Sequence, residues 1–304
     1  MRSGRTAVAS QGTGLVLRAV DHHMHPIIQR GSVLLRQLLL FGRLQARSCA
    51  FAVALFAGMA SVRLLPVTPI APYDLLLLYG LLLTALAWLV GWESRREIAV
   101  IAACHLLGLV LELVKVGVDS WSYPEAALTK VAGVPLYSGF MYAAVGSYVC
   151  AAWRIMDLKV SRYRPNVVAA VAGAAYLNFL ADHWISDLRW VLALTLFWVS
   201  AGSTVHFTVG RTRHRMPLAL AFALNGFFLW LAENISTRLG AWRYPYQLPT
   251  WHPMSIGTWS SWALLIPVMF VLVHRLAGPP GQSGRRGNAR YRGVSSPTPP
   301  RPAA

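Results

Sequence analysis

Two glutamates, Glu112 and Glu233, lie in otherwise apolar stretches, and each is followed nine residues later by the same aromatic string. Glu112 leads to Trp121-Ser122-Tyr123-Pro124 and Glu233 to Trp242-Arg243-Tyr244-Pro245. An ionisable group in hydrocarbon is costly unless it is paired or faces water, so each glutamate marks a candidate site. Two carboxylates sharing a low-dielectric cavity repel, so one holds a proton and serves as an acid while the other stays ionised. The chemistry expected is acid–base catalysis by Glu112 and Glu233, with Asp182 and His183 close by. Lys115 sits one turn from Glu112, whereas Ser236 occupies the matching place after Glu233. That difference marks Glu112 as the ionised partner and Glu233 as the proton donor. The competing reading is a structural Glu112–Lys115 pair that merely holds helices together.

The residues expected to line the substrate path are Lys115, Asp119, Trp121, Tyr123, Asn178, Asn234, Trp242 and Tyr244. His105, Glu112 and Asp119 are spaced by seven and share one helical face, a polar stripe running toward one surface. No metal and no cofactor are expected. Cys49, Cys104 and Cys150 are scattered through apolar blocks, no H-E-x-x-H spacing occurs, and the cluster His22, His23 and His25 stands in a polar tail. Phosphate-cradling glycine loops and a G-x-S-x-G elbow are missing too, and ATP-driven transport by this chain alone is not expected. His206 is read as a packed helix residue.

These side chains need elements to hold them, and the composition says which kind. Only 13% of the 304 residues are charged and 56% are apolar, against roughly 25% charged in soluble domains. The apolar residues come in blocks of about twenty, the length of a membrane helix. Eight spans are expected, near 48–65, 70–92, 97–118, 135–156, 166–184, 188–209, 216–240 and 255–275. The net charge of +17 does not point to nucleic acid, because the basic residues sit in tails and short loops. With the N-terminus inside, 22 of the 28 Lys and Arg fall in inside segments and five outside, the asymmetry that orients membrane proteins. The expectation is a cell-membrane protein with both termini cytoplasmic and membrane lipids around it. Residues 1–47 read as a basic mobile tail, 48–276 as the transmembrane domain and 277–304 as a Pro/Gly/Arg-rich disordered tail.

The two aromatic strings are 121 residues apart. From composition, roughly 0.03 W-x-Y-P strings are expected by chance, so two at the same distance from a glutamate argue for a repeat. Each copy continues into a Pro-x-x-x-Gly, Pro135 to Gly139 and Pro253 to Gly257. Four spans separate the copies, so units 97–156 and 216–275 run parallel, related by a pseudo-twofold axis along the membrane normal. The fold class expected is an all-α polytopic membrane bundle of about eight helices in two parallel four-helix repeats. The aromatic strings alone are also explained as interfacial anchors at helix ends.

Ser120-Trp121-Ser122-Tyr123-Pro124-Glu125, the run from Gly133 to Tyr148, Asp187-Leu188-Arg189-Trp190 and Leu231-Ala232-Glu233-Asn234 resemble the bacterial membrane family known as domain of unknown function 817. The resemblance covers roughly 50–275 and implies a multi-pass membrane protein; it brings no activity or catalytic residue with it. In motif style the chain is also similar to membrane carotenoid lycopene cyclases and hydratases. It departs from their Pro-Glu-Glu, since Pro135 and Pro253 are followed by no acid. The leading functional reading is an enzyme acting on an isoprenoid or lipid in an outward-opening cavity. The alternatives are a carrier of a small solute or ion and a structural membrane subunit.

Overall fold

The computed structural model describes residues 32–64, 69–247 and 250–277. Nine α-helices occur among these residues: α1 (Ser32–Ser48), α2 (Ala50–Leu64), α3 (Pro72–Leu89), α4 (Arg95–Gly117), α5 (Gly139–Ile155), α6 (Pro165–Ala181), α7 (Arg189–Ser200), α8 (Leu218–Arg238) and α9 (Gly257–Leu276). A hairpin of β1 (Lys130–Val131) and β2 (Val134–Pro135) precedes α5. Strands β3 (Lys159–Ser161), β4 (Thr204–Val209) and β5 (Thr212–Pro217) form an antiparallel sheet in the order β3-β4-β5.

A helix stands in each of the eight expected intervals, but only four of the described helices, α3, α4, α8 and α9, are individually long and apolar enough to cross a membrane. Helices α1 and α2 qualify together, as a pair bent by 64°. Helices α6 and α7, with 17 and 12 residues, fall short of the roughly 20 that a bilayer requires.

Three expectations are corrected. The sixth span, 188–209, is half helix and half strand: α7 stops at Ser200, and Thr204–Val209 alternates partly buried and buried residues along β4. A period of two in a β-branched stretch is a strand signal. It turns at Gly210, whose φ of 61° suits the first position of a two-residue hairpin loop. The fold is therefore mostly helical with two small sheets rather than all-α, and His206 lies on a strand. The third correction concerns the N-terminal tail, whose last part is helix α1. The histidines at 22, 23 and 25 and the segment 278–304 lie outside the described residues.

The core is organised around α9, which packs against α4, α5, α6, α7 and α8 and buries Leu264, Leu265, Ile266, Met269, Phe270 and Val273. Helix α4 starts with a capping box: Ser94 Oγ accepts from Glu97 N–H, and Glu97 Oε2 accepts from Ser94 N–H at 2.7 Å. That cap fixes the end of α4 that lies beside the three-stranded sheet's end of the bundle, where Arg275 also donates to Asn166 Oδ1 at 2.6 Å. The two W-x-Y-P loops meet at the other end.

Between α3 and α4, Glu93 is buried. Its Oε1 accepts from Ser147 Oγ at 2.6 Å, while Oε2 makes no hydrogen bond among the described residues and lies 3.9 Å from the Arg154 guanidinium. Burial pushes its carboxyl up from 4.5 to about 7, with the Glu97 charge adding to the rise and Ser147 and Arg154 opposing it. A carboxyl raised in the fold favours the protonated form. Its stabilising contribution is complete below about 4.5 and is lost as pH rises through 7. Glu93→Gln is thus expected to flatten the fall in stability between pH 5 and 8 and to gain about 3 kcal/mol at the alkaline end, read from melting temperatures against pH in detergent.

Candidate functional site

Glu112 is buried one turn before Lys115 on α4 and is held by neutral aromatic donors. Its Oε2 accepts from Trp121 Nε1 at 2.7 Å and from the Tyr123 hydroxyl at 2.8 Å; its Oε1 accepts from the Tyr142 hydroxyl at 2.9 Å. Trp121 and Tyr123 come from the first aromatic string and Tyr142 from α5. Tyr142 reaches the carboxylate because Gly108, one turn earlier on α4, leaves space for its ring; a Cβ at that position would overlap the ring. Gly108→Ala is expected to push α4 and α5 apart at a cost of about 1–3 kcal/mol. It should also break the Tyr142–Glu112 bond, a change visible as a lowered melting temperature that Tyr142→Phe, which removes only the hydroxyl, does not reproduce in full.

Glu233 on α8 is held the same way. Its Oε1 accepts from the Tyr244 hydroxyl and its Oε2 from Trp262 Nε1, both at 2.6 Å. In both cases the tyrosine of the aromatic string, eleven residues on, bonds the glutamate. In both cases a second aromatic donor comes from the next long helix, Tyr142 on α5 or Trp262 on α9. Helices α5 and α9 begin at Gly139 and Gly257, the glycines of the two Pro-x-x-x-Gly strings. The loops pair directly: Ser122 N–H donates to Arg243 O at 2.9 Å and Arg243 N–H to Ser122 O at 3.0 Å. The Trp121 and Tyr244 rings meet edge to face at 5.7 Å.

Both glutamates line one cavity of about 690 Å³, together with Lys115, Trp121, Tyr142, Asp182, Trp242, Tyr244 and Trp262. The cations at this cavity have other partners. Lys115 Nζ pairs with Asp182 at the end of α6 and lies 4.4 Å over the Phe179 ring. Arg189 pairs with Asp187 at 3.2 Å. The expected Glu112–Lys115 pair is therefore replaced by an interhelical one. The reason is reach: α6 brings a carboxylate to the lysine, while Glu112 already has three donors. The assignment of Glu112 as the ionised partner loses its basis with it.

The remaining residues of the expected site lie off the cavity wall. Tyr123 stands behind Glu112, buried. Asn178 holds the chain after α6, donating to Ser186 O and accepting from Leu188 N–H. Asn234 Oδ1 accepts from Met254 N–H at 2.9 Å and so fixes the approach to α9. Asp119 is exposed in a left-handed conformation, φ 57°, just beyond α4. His183 is exposed against the edge of Trp184. Residues the sequence did not single out for the site are Tyr142, Trp262, Tyr246 and Gly108. Tyr142 and Trp262 follow their glutamates by 30 and 29 residues, a spacing that becomes meaningful only once the helices are seen to return. No group of three His, Cys, Asp or Glu arranged to hold a metal ion occurs among the described residues.

No solved structure matches this chain. An uncharacterized protein of Bacillus subtilis (strain 168), YoaT, is 46% identical over 246 residues, which is 80% of this chain and 92% of that relative. Residues 37–270 match the family described as "Protein of unknown function (DUF817)". With more than half its length matched, the chain belongs to the DUF817 family.

Proposed function

We propose that this DUF817 protein is a multi-pass membrane enzyme that performs acid–base chemistry on an apolar, isoprenoid- or lipid-like substrate, with Glu112 and Glu233 as the proton-exchanging groups. The observation that carries this reading is that both carboxylates at the cavity are held by indole and phenol donors, while Lys115 and Arg189 are occupied by aspartates. A buried carboxylate kept only for structure is normally paired with a cation. One held by neutral donors can take up or release a proton without breaking an ion pair.

The donors also assign the atom. An indole N–H donates only, so Oε2 of each glutamate is fixed as an acceptor. A tyrosine hydroxyl donates or accepts, so Oε1 is the oxygen that can carry the proton. Tyr142 and Tyr244, both on the cavity wall, then accept from it. Each Oε1–tyrosine pair is a short relay between a buried carboxyl and the substrate space. The aromatic walls supply apolar area for a hydrocarbon and faces that attract positive charge developing on it.

A second reading, a carrier for a small organic cation, is favoured by the same charge balance: two carboxylates with no cation paired to them among the described residues and aromatic faces around them. Untargeted lipid and solute profiling of cells with and without the protein separates the two. A new or depleted lipid supports the enzyme; solute accumulation in proteoliposomes without any product supports the carrier.

The orientation belongs to the same proposal. The antiparallel bridge joins Ser122 to Arg243, residues separated by the repeat offset of 121, and a local twofold axis brings equivalent residues together in that way. This supports a parallel repeat with both loops on one side, outside, and the basic sheet inside with both termini. Reporter fusions after residues 125 and 247 are expected to read as external, and after 160 and 213 as internal. One reversed position would overturn this topology.

A further inference from the structure

The three-stranded sheet carries its cations on one face, and that arrangement is not used by the cavity chemistry. Cross-strand partners point to the same side of a sheet. Val160, Val205 and Met216 share one face with Phe207 and His214, and this face is packed: Phe207 meets Phe41 of α1 at 5.6 Å and stacks on His214. The opposite face therefore presents Lys159, His206 and Arg215 in a row across all three strands, with Thr208 and Arg213 beside them. Lys159, Arg213 and Arg215 are exposed. The segments 157–165 and 204–217 together hold six Lys or Arg and a single carboxylate, Asp157, which lies 3.3 Å from Lys159.

Helix α1 packs on the other face of the same sheet and shows where the sheet sits relative to an apolar surface. Leu40, Phe41 and Leu44 of α1 pack against Phe207 and Val209, and Gln37 Nε2 donates to Thr212 Oγ1 at 3.2 Å. The other side of α1 leaves Val33, Leu34, Leu35, Leu38 and Leu39 each about 60% exposed. An apolar helix side of that kind, bent away from the following helix and flanked by Arg36, Arg43 and Arg47, fits the hydrocarbon–headgroup boundary. Strand β5 runs directly into α8, whose first residue is Leu218, so Arg213 and Arg215 stand within a few residues of a span's start.

We propose that the β3–β4–β5 face is a binding site for the phosphate headgroup of anionic lipids in the adjacent leaflet, with Lys159, Arg213 and Arg215 as phosphate ligands and α1 as its interfacial anchor. The proposal rests on the membrane reading of the helices and is independent of the acid–base reading of the cavity. Arginine forks suit phosphate oxygens. Each cation at a membrane surface contributes a factor of about five in preference for anionic lipid.

The test is native mass spectrometry of the full-length protein released from nanodiscs of mixed phosphatidylcholine and phosphatidylglycerol. Retained lipid is expected to be enriched in phosphatidylglycerol on the order of a hundredfold. The Arg213→Gln/Arg215→Gln double variant should lower that enrichment roughly thirtyfold. Arg213→Lys/Arg215→Lys should keep most of it. Should the glutamine variant fail to assemble, Thr208→Glu, which sets a carboxylate into the row, is expected to produce the same loss. Wild-type protein that enters the nanodiscs without headgroup preference would overturn the proposal and leave the membrane reading intact. So would enrichment unchanged by the glutamine variant and by Thr208→Glu, displacement of the lipid by millimolar inorganic phosphate, or a second copy of the chain retained in place of lipid.

Discussion

Glu233→Gln is expected to abolish the lipid change that expression of the protein produces, by about a hundredfold or more, the range in which a single acid–base group acts, while the protein folds and inserts as before. The amide fits the existing bonds. Its oxygen accepts from Trp262 Nε1, as Oε2 does, and its NH₂ takes the place of Oε1 and donates to Tyr244, whose hydroxyl reverses. Packing and hydrogen bonding are retained and a buried charge is removed, so the melting temperature should hold or rise. What disappears is a proton that can leave. Tyr244→Phe completes the test, since it keeps the ring against Trp121 and Tyr246 and removes only the relay hydroxyl. If Tyr244→Phe reproduces the loss while Glu233→Gln is as stable as the wild type, the pair acts as a proton relay. If both variants retain full activity, Glu233 is structural and the acid–base proposal fails.

The sequence carried the intervals in which α2 to α9 lie and the repeated spacing of glutamate and aromatic string, because both depend on local regularities, whereas α1 fell in what read as a tail. Runs of about twenty apolar residues announce a span wherever it packs. The distances from Glu112 to Trp121 and from Glu233 to Trp242 repeat whatever lies between. It did not carry the sheet, whose strands β3 and β4 are more than forty residues apart and pair only after α6 and α7 have intervened. The alternation in Thr204–Val209 was visible but was masked by the apolar content that made 188–209 look like one continuous span. Lys115 illustrates the remaining difficulty. On one helix its nearest acid is Glu112, and helix periodicity favours that pair; the acid it binds, Asp182, is 67 residues away and is supplied by the end of another helix. Tyr142 and Trp262 stayed hidden for the same reason. Whether an aromatic hydroxyl or indole in one helix aims at a carboxylate in another depends on interhelical approach, and Gly108, which permits that approach, carries no sign of it in the sequence.

The Lys115–Asp182 pair yields the largest stability effect expected, and one with a direction. Lys115 is 3% exposed whereas the Asp182 side chain is 23% exposed, so the two ends of the pair do not suffer equally when the other is removed. Asp182→Asn leaves an ammonium buried at the cavity without its carboxylate partner, with the Phe179 ring beside it. Removing one partner of a buried pair costs about 3–5 kcal/mol, and this variant should fall in that range, read by denaturant titration in detergent. Lys115→Met leaves Asp182 where water reaches it and fills the vacated path with an unbranched apolar chain, so its cost should be clearly smaller. The double variant should recover most of the loss caused by Asp182→Asn. Function should separate in the opposite sense. In Asp182→Asn the freed lysine is one helical turn from Glu112 and is drawn to it, which would displace Tyr142 from Oε1 and tie down one proton-exchanging carboxylate. Asp182→Asn is therefore expected to lose activity even under conditions that restore its fold, and Lys115→Met to keep it. Equal stability costs for the two single variants would show that the difference in exposure between the two ends does not govern the pair. Full activity in a folded Asp182→Asn protein would show that Glu112 does not need to be free of a cation, and with that the distinction drawn between paired and proton-exchanging carboxylates would fall.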